Sequence, residues 1–244
     1  MPGRPDMQMM RPELEPWHKW LLGGLFGAFV VELVLAMTPL PLYSLAWFNF
    51  GAGFAPWQPV TRFLVQGASR QSVFNVLLSL LVLYFMLPAL SGAFTRRQLG
   101  FAALAGAVGA TVVPLLADAV GLNVLAPALG WQALVMVLPV LFGLHRPDAD
   151  VFLVVFPMKA RWFLWGGLAI ALLMLLAERS LSGWEELGVW LGTVGWYQLI
   201  GPGRRKRDLR AKAANIEREL SRFQVLEGGK SKPQGRQTPD DTVH

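Results

Sequence analysis

The chain of 244 residues has no cysteine. That excludes disulfides, thiolate nucleophiles and cysteine-ligated metals, and it leaves the redox compartment open. Histidine is nearly as scarce. His18 and His244 lie near the termini and His145 sits in a charged stretch, so no histidine-rich metal centre is expected. Charge is thin as well: 16% of residues are charged, against about a quarter in a soluble domain. No serine lies between Ser91 and Ser180, and no histidine between His145 and His244. The middle of the chain therefore offers no serine nucleophile with a histidine base.

What is present is apolar. Hydrophobic residues make up 54% of the chain, mean hydropathy is +0.42, and the apolar residues fall in long runs, so the bilayer is the expected solvent. The net charge of +6 collects at the ends of those runs and in the C-terminal tail. That distribution predicts lipid headgroups as partners and no nucleic acid. About twenty mostly polar residues precede the first run, and no small-x-small cleavage pattern follows it. The run reads as a retained span, not a signal peptide.

Six segments approach the roughly twenty residues that cross a bilayer. They are Trp20–Met37, Val73–Leu90, Leu99–Val120, Val124–Leu144, Trp162–Leu176 and Trp184–Leu199. The fifth is the shortest and the sixth the least hydrophobic. Loop charge orients them. Arg4, Arg11, Lys19, Arg96, Arg97, Arg146, Lys159, Arg161 and the tail from Arg204 onward fall on one side, and Arg62, Arg70 and Arg179 on the other. The positive-inside rule then places both termini in the cytoplasm. The expected domains are a cytoplasmic segment 1–16, a membrane domain 17–201, a basic amphipathic helix 202–227 and a disordered tail 228–244.

The first external loop, Thr38 to Ser72, carries no charge from Pro39 through Val60. It holds Tyr43, Trp47, Phe48, Phe50, Phe54 and Trp57. Aromatic rings favour the membrane interface, so the loop is expected either in the outer leaflet or packed on the protein's own spans.

These residues resemble the rhomboid family of intramembrane serine proteases over about positions 15 to 201. Pro56-Trp57-Gln58-Pro59-Val60-Thr61 is similar to the family's Trp-Arg loop motif, with Gln58 in place of arginine. Gln71-Ser72-Val73-Phe74-Asn75 is similar to the opening of its second span, with Gln71 for the histidine. Thr95-Arg96-Arg97-Gln98-Leu99-Gly100 resembles its basic-Leu-Gly turn. Phe156-Pro157-Met158-Lys159-Ala160-Arg161-Trp162 resembles its proline-basic-tryptophan entry to the fifth span. Gly188-x-x-x-Gly192 matches its sixth-span glycine ladder. The resemblance implies an all-α, rhomboid-like bundle of six transmembrane helices with a membrane-embedded first loop, in a bacterial inner membrane. It also implies that the ladder brings the sixth helix against the fourth. Glycines four apart do allow close helix approach on physical grounds alone.

The chain departs from the family where the chemistry lies. In Pro127-Ala128-Leu129-Gly130, Leu129 stands at the position of the nucleophilic serine, and Glu185 stands at the position of the histidine. Neither a nucleophile nor a base is in place. The resemblance implies a catalytically inactive relative, with no cofactor, that binds transmembrane segments of client proteins between its second and fifth spans. Trp57, Asn75, Leu129, Gly130 and Glu185 would border the vacated cavity. The alternatives are a peptidase with atypical residues and a small transporter.

Three further features need an account. Glu32 lies deep in the first span, where a charge costs about 3 kcal/mol or more without a partner. It is protonated, paired with an arginine such as Arg62, or part of a polar path. Asn75 is similar to an oxyanion donor of the family, and otherwise makes an interhelical hydrogen bond. Glu185 and Glu186 near a helix start would suit its dipole. In the tail, Arg204, Arg205, Lys206 and Arg207 are expected at an anionic lipid surface. Leu209, Ala213, Ile216, Leu220 and Phe223 then recur in steps of four and three. They form a stripe for a membrane surface or a partner helix.

Overall fold

The computed structural model describes residues 13–38, 55–122, 130–153, 156–178 and 181–224. The aromatic loop residues Tyr43 to Phe54, the serine-equivalent Leu129 and the tail from 228 lie outside these residues. The described chain is mostly helical. Helix α1 is Pro16–Leu35. A short α2, Gln58–Thr61, runs into a 3-10 turn, Arg62–Leu64. Helices α3 (Arg70–Ser91) and α4 (Arg96–Ala119) follow, then α5 (Gln132–Val135) and α6 (Val137–His145). Strands β1 (Asp150–Leu153) and β2 (Phe156–Lys159) precede α7 (Arg161–Glu178), α8 (Leu181–Leu199) and α9 (Pro202–Gln224).

Local chemistry sets the starts. Pro16 opens α1, where its missing N–H costs nothing. The Ser69 hydroxyl caps α3 by accepting from the Ser72 N–H at 3.0 Å. Thr95 and Gln98 form a reciprocal capping box at α4: the Gln98 N–H donates to Thr95 at 3.3 Å and the Thr95 N–H to Gln98 at 2.9 Å. Arg96 then donates to Glu15 at 3.3 Å and ties the start of α1 to α4. The Trp17 indole and Arg96 together hold the Glu15 carboxyl below its usual range.

Three helices, α1, α3 and α4, are long and apolar enough to cross a membrane. Their outward faces carry Phe26, Val31, Phe74, Leu81, Phe85, Phe101 and Leu104, all more than two-fifths exposed. An apolar surface of that extent needs lipid or protein against it. The expected fourth and fifth spans correspond to shorter apolar helices, Gln132–His145 and Arg161–Leu176. The former breaks at Met136 between α5 and α6. Helix α8 matches the expected sixth span in position and has 19 residues. It is not among the three, because its sequence mixes Glu185, Glu186 and Gln198 into the apolar run.

One correction to the all-helical expectation is the antiparallel hairpin β1–β2. It pairs Asp150 with Lys159 and Val151 with Met158 in what reads as a charged loop. Each strand is only four residues long, too short for its pattern to stand out in the sequence.

The core runs through Phe29, Val76, Leu87, Ala102, Leu141, Val189 and Trp196. Its tightest seam is between α4 and α8. A β-carbon on Gly188 would strike the Gly109 carbonyl, and one on Gly192 the Ala105 carbonyl. The glycine ladder therefore faces the third long helix, α4, and not the fourth as the resemblance implied. Helix α6 approaches from the side, where Val137 and Thr193 close over Gly106. Small residues meet where the backbones come closest, which is how helices associate in lipid.

The region from Arg204 forms a separate unit. Taken by itself, α9 exposes Leu209, Ile216 and Leu220 by more than half.

Gly188→Leu is expected to cost at least about 3 kcal/mol, the top of the usual overpacking range. Gly195→Ala, whose added β-carbon meets nothing within 4 Å, is expected to be near neutral. Thermal unfolding in detergent compares the two, and equal melting temperatures would rule out the close α4–α8 contact.

Candidate functional site

The site grows from the turn after α2. Pro59 at the start of α2 and the 3-10 turn place Arg62 inward, with 1% of its surface exposed. It is the sole charge between Pro39 and Ser69. Its guanidinium forms an ion pair with Glu185 of α8, also buried. Arg62 Nη2 donates to Thr111 Oγ1 of α4 at 3.2 Å, and the Thr111 hydroxyl donates to the Ala107 carbonyl at 2.9 Å. The guanidinium carbon lies 4.3 Å from the centre of the Phe63 ring, an attractive cation–π geometry. Burial pulls the Arg62 pKa down to about 10, so the side chain is still a cation at neutral pH.

The backbone of the same turn holds the chain before α5. The Arg62 carbonyl accepts from the Gly130 N–H at 2.9 Å. Gly130 has φ +104°, and an added β-carbon would lie 2.6 Å from the Gln66 amide. Only glycine suits that backbone and that space. The Gln66 amide oxygen, turned toward Trp131, accepts from the Trp131 backbone N–H at 2.8 Å and from its indole N–H.

Glu32 completes the cluster from α1. Its carboxylate accepts from the Gln66 N–H at 2.9 Å and from the Gly67 N–H at 2.6 Å. Gly67 has φ +83°, which lets consecutive N–H groups point at one carboxylate. Glu32 thus anchors two backbone N–H groups, a role not among those expected from the sequence. The ion pair of Arg62 goes to Glu185 instead.

The sequence-derived candidates divide. Gly130 and Glu185 are joined through Arg62, and both are buried. Trp57 is 56% exposed, and its carbonyl accepts from Thr61 at 3.2 Å. Asn75 is half-buried on α3, and its amide oxygen accepts from Gln71 at 3.0 Å, one turn back in the same helix. That bond is not the interhelical one considered. Leu129 lies outside the described residues. Glu185 and Glu186 fall beyond the first turn of α8, so a dipole interaction does not explain them.

Thr111 and Gln66 are the members that sequence reading passes over, while Arg62 was considered only as a partner for Glu32 and pairs with Glu185. The signal for Arg62 was present: one cation in an uncharged loop, with two acids in spans that each need a partner. Among the described residues, no group of three acids or histidines could hold a metal. A surface groove of about 680 Å³ lies on α1, lined by Pro16, Lys19, Trp20, Gly23 and Gly24, and shares no residue with the cluster. Chemically, the cluster is an anchor. General acid–base work needs a group within reach of a substrate proton, and here the Glu185 carboxylate is committed to a guanidinium.

Arg62→Met alone is expected to destabilise by about 3–5 kcal/mol, since it leaves Glu185 buried and unpaired. The double variant Arg62→Met/Glu185→Leu should recover most of that loss. Denaturant unfolding in mixed micelles measures both, and a double variant no better than the single would argue against the pair as the source. For Glu32, replacement by alanine should cost about 1–3 kcal/mol, the penalty for orphaned N–H groups, and more than replacement by glutamine. Set beside known proteins, the chain matches no family model, no curated protein and no solved structure.

Proposed function

We propose that this is a six-span, rhomboid-like membrane protein that is catalytically inactive and binds transmembrane segments of other proteins. In this reading both termini are cytoplasmic, and Arg204, Arg205, Lys206 and Arg207 contact anionic lipid. The observation that carries the reading is the pair of apolar faces on α3 and α7. Phe74, Leu78, Leu81 and Phe85 share one side of α3 and are about half exposed or more, as are Trp162, Trp165 and Leu173 on α7. Helix α3 packs chiefly on α1, α5 and α6, and α7 on α6 and α8. Among the described residues these packings leave the two faces open to lipid or to a lipid-borne partner. A client helix entering laterally would meet large side chains on both sides, and dispersion with polar contacts drives such association in lipid.

The buried cluster supports binding over hydrolysis. It locks the turn at Arg62 to α1, α4 and α8, and so gives α3 a fixed entry point just after Ser69. A rigid frame of that kind lowers the ordering cost of capturing a ligand.

The test uses the full chain in liposomes with a helix-destabilised single-span segment and an active rhomboid as control. Photo-crosslinkers replacing Leu81 or Leu173 should capture the segment, and mass spectrometry should find it uncut. A specific cleavage product that disappears in Glu185→Gln would replace the binding role with an acid-dependent peptidase. Capture at neither position would remove the lateral site.

A further inference from the structure

The stripe on α9 has a register that says what covers it. Leu209, Ala213, Ile216 and Leu220 recur at alternating steps of four and three, the spacing of a two-helix seam. Leu209, Ile216 and Leu220 are 56–59% exposed. The flanking positions are not uniformly basic, as a helix lying on anionic lipid would have them. Lys212 flanks the seam toward its N-terminal half, and Glu217 and Glu219 flank it on both sides toward its C-terminal half.

We propose that α9 pairs antiparallel with α9 of a second copy of this chain. The two orientations differ sharply in what they bring together. In a parallel, in-register pair, Ala213 meets Ala213 and leaves a void. Lys206, at the preceding seam position, meets Lys206, and like charges in a seam repel. In the antiparallel pair with its two-fold axis between positions 214 and 215, Ala213 meets the partner's Ile216 and Leu209 meets the partner's Leu220. Small then faces large in two layers. Lys206 faces the position where the sequence has Phe223. On one flank Lys212 comes beside the partner's Glu219, and on the other the sequence sets position 210, an arginine, beside position 217, a glutamate. The symmetry doubles each pair. Antiparallel pairing thus satisfies size and charge together.

Two heptads are marginal as a free helix pair. Here the helices follow directly on a chain segment that ends in α8, and confinement to one surface raises their effective concentration. Within the basic run only Lys206 falls on the seam line, so lipid contact by Arg204, Arg205 and Arg207 does not compete with the pairing.

The absence of cysteine makes the test clean. Full-length Leu209→Cys and Leu220→Cys copies are mixed in liposomes and oxidised. The mixed disulfide is expected at least tenfold above the Leu209→Cys self-product, because the antiparallel seam holds the two 209 positions about 16 Å apart. Lys212→Glu should cut the mixed product severalfold, and adding Glu219→Lys should restore it. A dominant Leu209→Cys self-product would overturn the antiparallel arrangement. Absence of any disulfide would overturn the pairing, and quenching of a fluorophore at position 216 by brominated lipid would then assign the stripe to the bilayer.

Discussion

The turn between α2 and α3 depends on one buried cation. Arg62 sits in a turn between helices, with 1% of its surface exposed, facing Glu185 from a helix more than a hundred residues away in sequence. Taking two charges out of water costs several kcal/mol per ion, and only close pairing with further hydrogen bonds offsets it. Those further contacts are supplied by Thr111 and by the Phe63 ring. The turn cannot shift without separating the charges, and its backbone is therefore a fixed surface. Gly130 docks on its carbonyl, and Gln66 and Gly67 offer their N–H groups to Glu32.

The α4–α8 seam is the second constraint, and it works by subtraction. No side chain intervenes between Gly109 and Gly188, so the two backbones set their own distance. That fixes where Glu185 stands, less than one turn before Gly188. The close packing of two helices thereby places the carboxylate that receives Arg62. Packing and electrostatics are linked through three residues of one helix turn, and neither would be accurate without the other.

The long helices were legible because their signals are long: about twenty apolar residues with basic flanks. The glycine ladder was legible as a close contact, but its partner was not, because spacing on one helix says nothing of which neighbour supplies the facing glycine. Glu32 and Glu185 announced themselves as acids in apolar surroundings. Their partners did not follow from sequence. Backbone N–H groups at Gln66 and Gly67 leave no composition signal, and the choice between two acids for Arg62 is decided by where α1 and α8 lie in space. The hairpin β1–β2 escaped notice because four-residue strands carry too little periodicity to distinguish from a charged loop.

The Arg62–Glu185 pair also sets an order of events in biosynthesis. Glu185 emerges roughly 120 residues after Arg62, a delay of about 6–25 s at ordinary synthesis rates. By the end of that interval α1, α3 and α4 are complete, yet the guanidinium has had no carboxylate from α8 to meet. An unpaired cation of this kind belongs in water or at the headgroups, not among apolar helices. The turn therefore cannot reach its paired state until α8 has been made. A chain interrupted before α8 would display that open turn, with its exposed arginine, as a mark of incompleteness.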